Sequence, residues 1–356
     1  MNDKDKIYDF VYLTNTPSFY KLNLCNRIAE TNSILLVLYG YGNEAVNTVL
    51  KDHAETKFDY VFLNEGDSNR RNKVTVFVRL LRLMRKVKCR KVLYAGWMAA
   101  EYNLYSFLSP KRKNVIVCES SEFDVSFSGI AGWIKRAVIN RMGMALPSGI
   151  PHKQLFDNLG FKGQIKVTGS VGIFHKGKCT PTIPNTPLRY LYVGRLVDVK
   201  NVKLLIEEFN HNGKLLTIVG KGELETELKK QAKPNITFTG FIENVSLENV
   251  YKSHDVFVLA SYRETWGIVV EEALYWGLPV IVSNRVGSSL DMVKELGTGE
   301  IFNSGSIKSL HHSIEKMEKN YNAYKKNVLS IDWKEREKKQ ISAYTFIPVS
   351  YTHLRA

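Results

Sequence analysis

The sequence predicts an α/β chain of two Rossmann-like, doubly wound parallel-sheet domains. Three observations carry that expectation. Short β-branched or aromatic runs alternate with helically spaced apolar residues, as buried parallel strands and their crossover helices require. The alternation halts once, over 176–187, where three prolines stand among Lys, Thr and Asn, and then restarts. A chain of 356 residues, 44% apolar and 24% charged, is long enough for two ordinary cores rather than one oversized one. The expected organisation is a first domain over 1–174, a linker over 175–187, a second domain over 188–330, a closing charged helix over 331–345 and an aperiodic tail over 346–356 that reads as disordered or foreign.

In the first domain the runs at 8–13, 33–39, 60–63, 91–95, 115–118 and 145–147 are short, apolar and rich in Val, Ile, Leu and Tyr, so each reads as a strand. A weaker run at 165–168 closes the unit. Helical spacing falls between them, at 20–30 and 74–87. After the linker come a strand at 188–193, a helix at 202–209, a strand at 215–219, a helix at 224–232 and a strand at 236–238. A helix at 247–254, a strand at 256–260, a helix at 267–276, a strand at 279–283 and a helix at 307–320 follow. Right-handed crossovers turn that order into an open sheet covered on both faces.

Composition narrows the function classes. No stretch reaches the roughly 18 to 20 apolar residues of a membrane-spanning helix, because the longest candidate, 268–282, contains Glu271, Glu272 and Pro279. The N-terminus, Met1-Asn2-Asp3-Lys4-Asp5-Lys6, is charged and the apolar run after it is too short for a secretion signal. Cys25, Cys89, Cys118 and Cys179 stand far apart without a C-x-x-C pair, so they read as reduced cytoplasmic thiols and not as a zinc site or a disulfide framework. The eight histidines show no ligand spacing, so no metal site is expected.

The net charge of +15 is a statement about partners. From Arg70 to Lys91 there are ten Lys or Arg and no Asp or Glu, with Val74, Phe77, Val78, Leu81 and Met84 interleaved at helical spacing. Such a helix either packs one face on the sheet and solvates the other, or adds a role at an anionic membrane surface. Nucleic acid is not expected, since single-strand binders interleave stacking aromatics with their cations and this segment has only Phe77.

Three turns at the carboxyl ends of predicted strands carry chemistry. In the run 261–272 a strand ends in a turn that opens a helix near Gly267, so free amides and the positive end of the helix dipole form an anion site. Glu264 lies in the turn and Glu272 inside the helix, leaving room for a phosphate between two hydroxyl-binding carboxylates. The strand 190–193 runs into Gly194-Arg195, with Lys200 five residues on; Gly194 suits a tight turn, Arg195 can fork onto a phosphate and Lys200 can add a point charge. The third turn, Gly220-Lys221-Gly222-Glu223, lacks the further glycine of a dinucleotide fingerprint.

In order and spacing these residues resemble the retaining GT-B glycosyltransferases of family 4, the glycosyl transferases group 1. The likeness spans the second domain, and the run 329–333 is similar to the start of that family's closing helix, which crosses back to the first domain. The resemblance implies a GT-B fold with two domains facing across a cleft, and transfer of a sugar from a nucleotide diphosphate, UDP or GDP, with retention of configuration. Arg195 and Lys200 would bind the diphosphate and stabilise the leaving group, Glu264 would contact the donor sugar, and Glu272 would hold the ribose. Gly194, Gly220, Gly222 and the amides around Gly267, Ile268 and Val269 would complete the donor site. No metal or other cofactor is then required. The acceptor implied is a glycan or lipid-linked glycan at the inner membrane face, in assembly of a bacterial surface polysaccharide such as lipopolysaccharide or capsule.

The first domain departs from the family pattern. Asn15-Thr16-Pro17-Ser18-Phe19-Tyr20-Lys21 stands where many members have a Gly-rich loop, and Cys118-Glu119-Ser120-Ser121 where many carry a histidine. Glu119 and Trp97 are offered as acceptor contacts; a capping turn and a core tryptophan are the alternatives. Rival functions are another enzyme on the same architecture, such as a nucleotide-sugar epimerase or a phosphorylase, and a non-catalytic membrane-associated binding protein.

Overall fold

Apolar strands without polar alternation must be covered on both faces, and the architecture of each half follows from how its helices supply that cover. The computed structural model describes residues 6–40, 56–64, 70–97, 99–121, 128–172 and 183–345. The chain divides into two units. One runs to Phe174 and takes in the residues from Lys334 onward, and His175–Trp333 form the other. Of the expected linker, 175–182 lies outside the described residues, as does the tail 346–356.

The first unit holds seven parallel strands: β1 (Ile7–Thr14), β2 (Ile34–Leu38), β3 (Asp59–Phe62), β4 (Lys88–Ala95), β5 (Asn114–Cys118), β6 (Met144–Pro147) and β7 (Gln164–Ile165). Their order is β3-β2-β1-β4-β5-β6-β7, so the winding reverses between β1 and β4, where Leu13 pairs with Tyr94. On one face lies α1 (Phe19–Ile28), whose Leu22, Leu24, Cys25 and Ile28 meet Phe10, Tyr12, Leu36 and Val115. On the other face α2 (Lys73–Lys86), α3 (Ala100–Leu108), α4 (Gly129–Asn140) and α5 (Ile150–Asn158) cover Val11, Leu13, Val37 and Ile116.

The closing helix, Trp333–Thr345, packs on the α1 side through Tyr344 and Ile341. It is held there by polar contacts to this unit: Lys166 Nζ donates to the Ser342 carbonyl at 3.0 Å, Arg336 donates to the Gly169 carbonyl at 2.9 Å, and Arg27 pairs with Glu337.

The inward face of α2 corrects the sequence reading. Val76 and Leu80 are buried and Leu83 and Met84 pack beside them, whereas Val74 is 71% exposed and Val78 37%. Of the expected stripe of Val74, Phe77, Val78, Leu81 and Met84, Met84 packs on the core, whereas Val74 and Val78 face outward. A long run of mixed Val, Leu and Arg offers two stripes of similar apolar content, and only the contact with β3, β4 and α3 selects between them. Asn72 caps this helix, its side chain accepting from the amides of Val74 and Thr75 at 3.0 and 3.1 Å.

The second unit is a six-stranded parallel sheet of β8 (Arg189–Val193), β9 (Leu215–Val219), β10 (Ile236–Gly240), β11 (Val256–Leu259), β12 (Val280–Ser283) and β13 (Gly299–Phe302), in the order β10-β9-β8-β11-β12-β13. The helices are α6 (Val202–Asn212), α7 (Glu225–Gln231), α8 (Asn244–Lys252), α9 (Ile268–Tyr275) and α10 (Ile307–Leu329). Buried Asp255 pins the entry to this sheet: its carboxylate accepts from the Asn185 amide and side chain, each at 3.0 Å, and from the Arg189 amide at 2.8 Å. The winding reverses between β8 and β11. Open α/β sheets bind ligands beyond the carboxyl ends of strands at such a reversal, and both predicted anion turns follow those two strands.

Candidate active site

The loop after β8 and the loop after β9 are joined backbone to backbone. Gly194 N donates to the Val219 carbonyl at 3.0 Å, Leu196 N to the Lys221 carbonyl at 2.9 Å, and Leu224 N to the Leu196 carbonyl at 3.1 Å. Their approach leaves no room for side chains. A Cβ on Gly220, whose φ is +138°, would stand 1.9 Å from the Gly194 carbonyl oxygen, and one on Gly222 would stand 2.2 Å from that of Leu196. The sequence reading assigned Gly194 to a tight turn; its φ lies outside the left-handed region, and the constraint there is the Tyr192 hydroxyl, 2.8 Å from where a Cβ would sit. That hydroxyl, pushed well up in pKa by burial, donates to the Arg195 carbonyl at 2.9 Å. Arg195 is thereby fixed in backbone while its side chain is exposed at the carboxyl edge of the sheet.

Lys200 ends a short 3-10 turn, Asp198–Lys200, closed by Asn201 in a left-handed conformation at φ +50°. Its ammonium forms an ion pair with the Glu264 carboxylate, both side chains mostly buried. The two loops also share a backbone bond, Tyr262 N to the Val199 carbonyl at 2.9 Å. Glu264 is held from the other side by bonds from its amide to the Arg285 carbonyl at 3.1 Å and from the Gly287 amide to its carbonyl at 2.9 Å, with a parallel bridge to Val286. The segment after β12 therefore positions the carboxylate, a role sequence reading missed because nothing local to 284–288 signals it.

Gly267 precedes α9 with φ +91°, a conformation that L side chains rarely adopt. The amides of Ile268 and Val269 begin the helix and have no acceptor a turn back within it, so they and the helix dipole favour an anion there. Two successive acids on α9 part company. Glu271 is buried and accepts from the Trp266 indole at 3.0 Å, a structural bond. Glu272 accepts from the Tyr251 hydroxyl of α8 at 3.1 Å, and burial pushes its carboxyl up to about 7 despite that bond. Tyr251 was not singled out from sequence, since α8 and α9 meet only in the fold.

At the reversal in the first unit, the two departures from pattern turn out to be one cluster. Glu119, just past β5, accepts from the Tyr20 hydroxyl at 3.1 Å and pairs with Lys21 at 3.6 Å. Burial alone would lower the Lys21 pKa, but Glu119 and Tyr20 outweigh it and hold the ammonium above its ordinary value. Glu119 is thus tied to the first turn of α1. Trp97, just past β4, is partly buried on the core, its ring 6.2 Å from that of Phe156 and its carbonyl accepting from Asn103 at 2.7 Å. The structure therefore gathers Arg195, Lys200, Glu264 and the head of α9 at one edge of the second sheet, with Glu272 one turn deeper, and sets Glu119 and Trp97 at the corresponding edge of the first. Among the described residues, no three His, Cys, Asp or Glu converge as metal ligands would.

Comparison with known proteins bears on this arrangement. Residues 179–331 match the family model for glycosyl transferases group 1. The chain is 31% identical over 198 residues to the capsular polysaccharide biosynthesis glycosyltransferase CapM of Staphylococcus aureus, covering 49% of this chain and 51% of CapM. It spans about a third of the length of most of the other curated relatives it matches. The lipopolysaccharide outer core galactosyltransferase WaaB superposes with a TM-score of 0.70 at 14% identity, over 95% of this chain and 99% of that one. HepE of Anabaena, solved in complex with UDP-glucose, gives 0.68 at 15% identity over 95% and 97%. Residues 179–331 thus form a glycosyl transferases group 1 domain, carried in a chain of GT-B architecture.

Proposed function

We propose that this chain transfers a hexose from a nucleoside diphosphate to a glycan or lipid-linked glycan acceptor, with retention of anomeric configuration. The observation that carries the reading is the meeting of Lys200, Glu264, Arg195 and the α9 amides at the β8–β11 reversal. Arg195, Lys200 and the amides of Gly267, Ile268 and Val269 hold the diphosphate and stabilise the charge it gains as the glycosidic bond breaks. Those two cations fill the role a metal would otherwise have. Glu264, held against Lys200, faces the donor sugar; Glu272 accepts the ribose hydroxyls; the base lies toward Gly222 and the segment after Phe238. The acceptor attacks from the face the diphosphate leaves, and the departing phosphate takes its proton. Glu119 and Trp97 are the residues proposed to contact the acceptor.

The relatives support assembly of a surface polysaccharide, since CapM and WaaB act in capsule and lipopolysaccharide synthesis by their names. With that goes a place at the cytoplasmic face of the membrane, and among the described residues no helix is long and apolar enough to cross it. The test is mass-spectrometric turnover against a panel of UDP- and GDP-sugars with a lipid-diphosphate glycan, followed by NMR of the new anomeric centre. An inverted linkage, or only hydrolysis or epimerisation of the donor, refutes it.

The Glu272 carboxyl gives this reading a pH signature. Its folded value of about 7 lies above the ordinary 4.5. The native state therefore binds more proton between those values, and this group's contribution to stability of the free protein is lost as pH rises from the lower to the higher. Only the ionised form accepts both ribose hydroxyls. Nucleotide affinity, measured by titration calorimetry with UDP and GDP, is expected to fall about tenfold from pH 8 to pH 6. Glu272→Gln is expected to bind weakly with a flat profile. Tyr251→Phe removes a bond that holds the pKa down, so its midpoint is expected to move upward.

A further inference from the structure

Three helices lie side by side on one face of the first sheet, and their outward surfaces are not those of an ordinary solvated layer. On α4, Ile130, Trp133 and Ile134 repeat at helical spacing and are 82%, 70% and 51% exposed. On α3, Leu104, Phe107 and Leu108 do the same. Exposed Val74 and Val78 of α2 extend the row. Because α2 packs on α3 and α3 on α4, and all three bury their opposite sides in one core, these side chains project from a single layer away from the sheet. Scattered exposed apolar residues need no explanation, but two amphipathic stripes and part of a third on adjacent helices do.

Charge identifies the occupant. The three helices carry Lys73, Arg79, Arg82, Arg85, Lys86, Lys135 and Arg136, and their one acid, Glu101, is buried against Arg71 at 2.5 Å. An apolar layer set among cations, with no exposed carboxylate of its own, complements a bilayer whose headgroups are negative. We propose that the α2–α3–α4 layer docks flat on an anionic membrane. Ile130, Trp133, Ile134, Phe107 and Leu108 enter the interface and the arginines of α2 engage the headgroups. Trp133 suits this position, with an apolar ring and an indole N–H for the wet side. Arg79 is set apart from the headgroup contacts because its guanidinium donates to the Leu63 carbonyl at 2.8 Å. The inference rests on this surface alone and is independent of the donor site.

The test is co-sedimentation of the full chain with phosphatidylcholine vesicles, with and without phosphatidylglycerol. Binding is expected only when phosphatidylglycerol is present. Arg82→Gln with Arg85→Gln is expected to weaken it about 25-fold, at about fivefold for each cation. Ile130→Ser with Trp133→Ser is expected to abolish it, while the melting temperature and UDP or GDP binding stay as in the wild type. Trp133→Phe should still bind but lose the blue shift of tryptophan fluorescence. Equal binding to neutral vesicles, or wild-type binding by the Ile130→Ser/Trp133→Ser protein, overturns the proposal. So does a dimer in sedimentation velocity that the same pair of substitutions dissociates while vesicles are ignored. Loss of nucleotide binding in the wild type, with vesicle binding intact, would count against the proposed function and leave this inference standing.

Discussion

Replacing Lys200 with alanine is expected to lower sugar transfer about 10²- to 10³-fold, the effect of removing one fixed group that stabilises developing charge. Arg195→Ala and Glu264→Ala are expected to fall in the same range or below it. The distinctive outcome concerns combinations. Lys200 and Glu264 are ion-paired and mostly buried, so removing either leaves the other's charge without its partner, at a cost that belongs to the broken pair and not to the reaction. The double variant Lys200→Ala/Glu264→Ala should therefore lose less than the sum of the singles, by about 1–2 kcal/mol in a kinetic cycle. Arg195, exposed and fixed through its backbone, should combine additively with Glu264. Melting temperatures within a few degrees of wild type for Arg195→Ala would assign its effect to chemistry. Full turnover in Arg195→Ala or Glu264→Ala would refute the assignment.

Which parts of this arrangement were legible in sequence depends on whether the signal was local. Strands such as 215–219 read correctly because a run of Leu, Leu, Thr, Ile and Val between polar turns suits only a buried strand. β13 was missed because Gly299-Glu300-Ile301-Phe302 is half polar; it is a strand because it pairs with β12, Val282 against Ile301. That Arg195, Lys200, Glu264 and Gly267 would stand at the carboxyl edge of the second sheet was legible, since each follows a strand readable within a few residues. What holds those residues was not. Val286 against Glu264, Tyr251 beneath Glu272, and Tyr20 with Lys21 on Glu119 are contacts between segments 21 to 99 positions apart, and no periodicity reports them. The α2 helix shows the intermediate case, with its existence local and its rotation tertiary.

Gly220→Ala carries the largest expected effect on the fold. Two penalties meet at that residue. Its φ of +138° is one that an alanine scarcely adopts, and the added methyl would lie 1.9 Å from the Gly194 carbonyl oxygen, a backbone atom that cannot rotate aside. Relief would require parting the loops after β8 and β9 and breaking the Gly194–Val219 and Leu196–Lys221 bonds. Together these are expected to cost about 3–5 kcal/mol, or roughly 10 °C in melting temperature for a unit of this size. Gly213→Ala is the control, since that glycine has φ +70° at the end of α6 with nothing within 4 Å of its Cβ. It should cost only the left-handed penalty of about 1–2 kcal/mol. Urea unfolding of the two variants separates close approach from backbone conformation. Equal midpoints would mean that the β8 and β9 loops part easily, and Arg195 would then have no rigid footing from which to meet a diphosphate. A lower midpoint for Gly220→Ala, with nucleotide affinity reduced where the protein remains folded, would show that the clasp between these loops sets the position of the cation as well as the stability of the sheet.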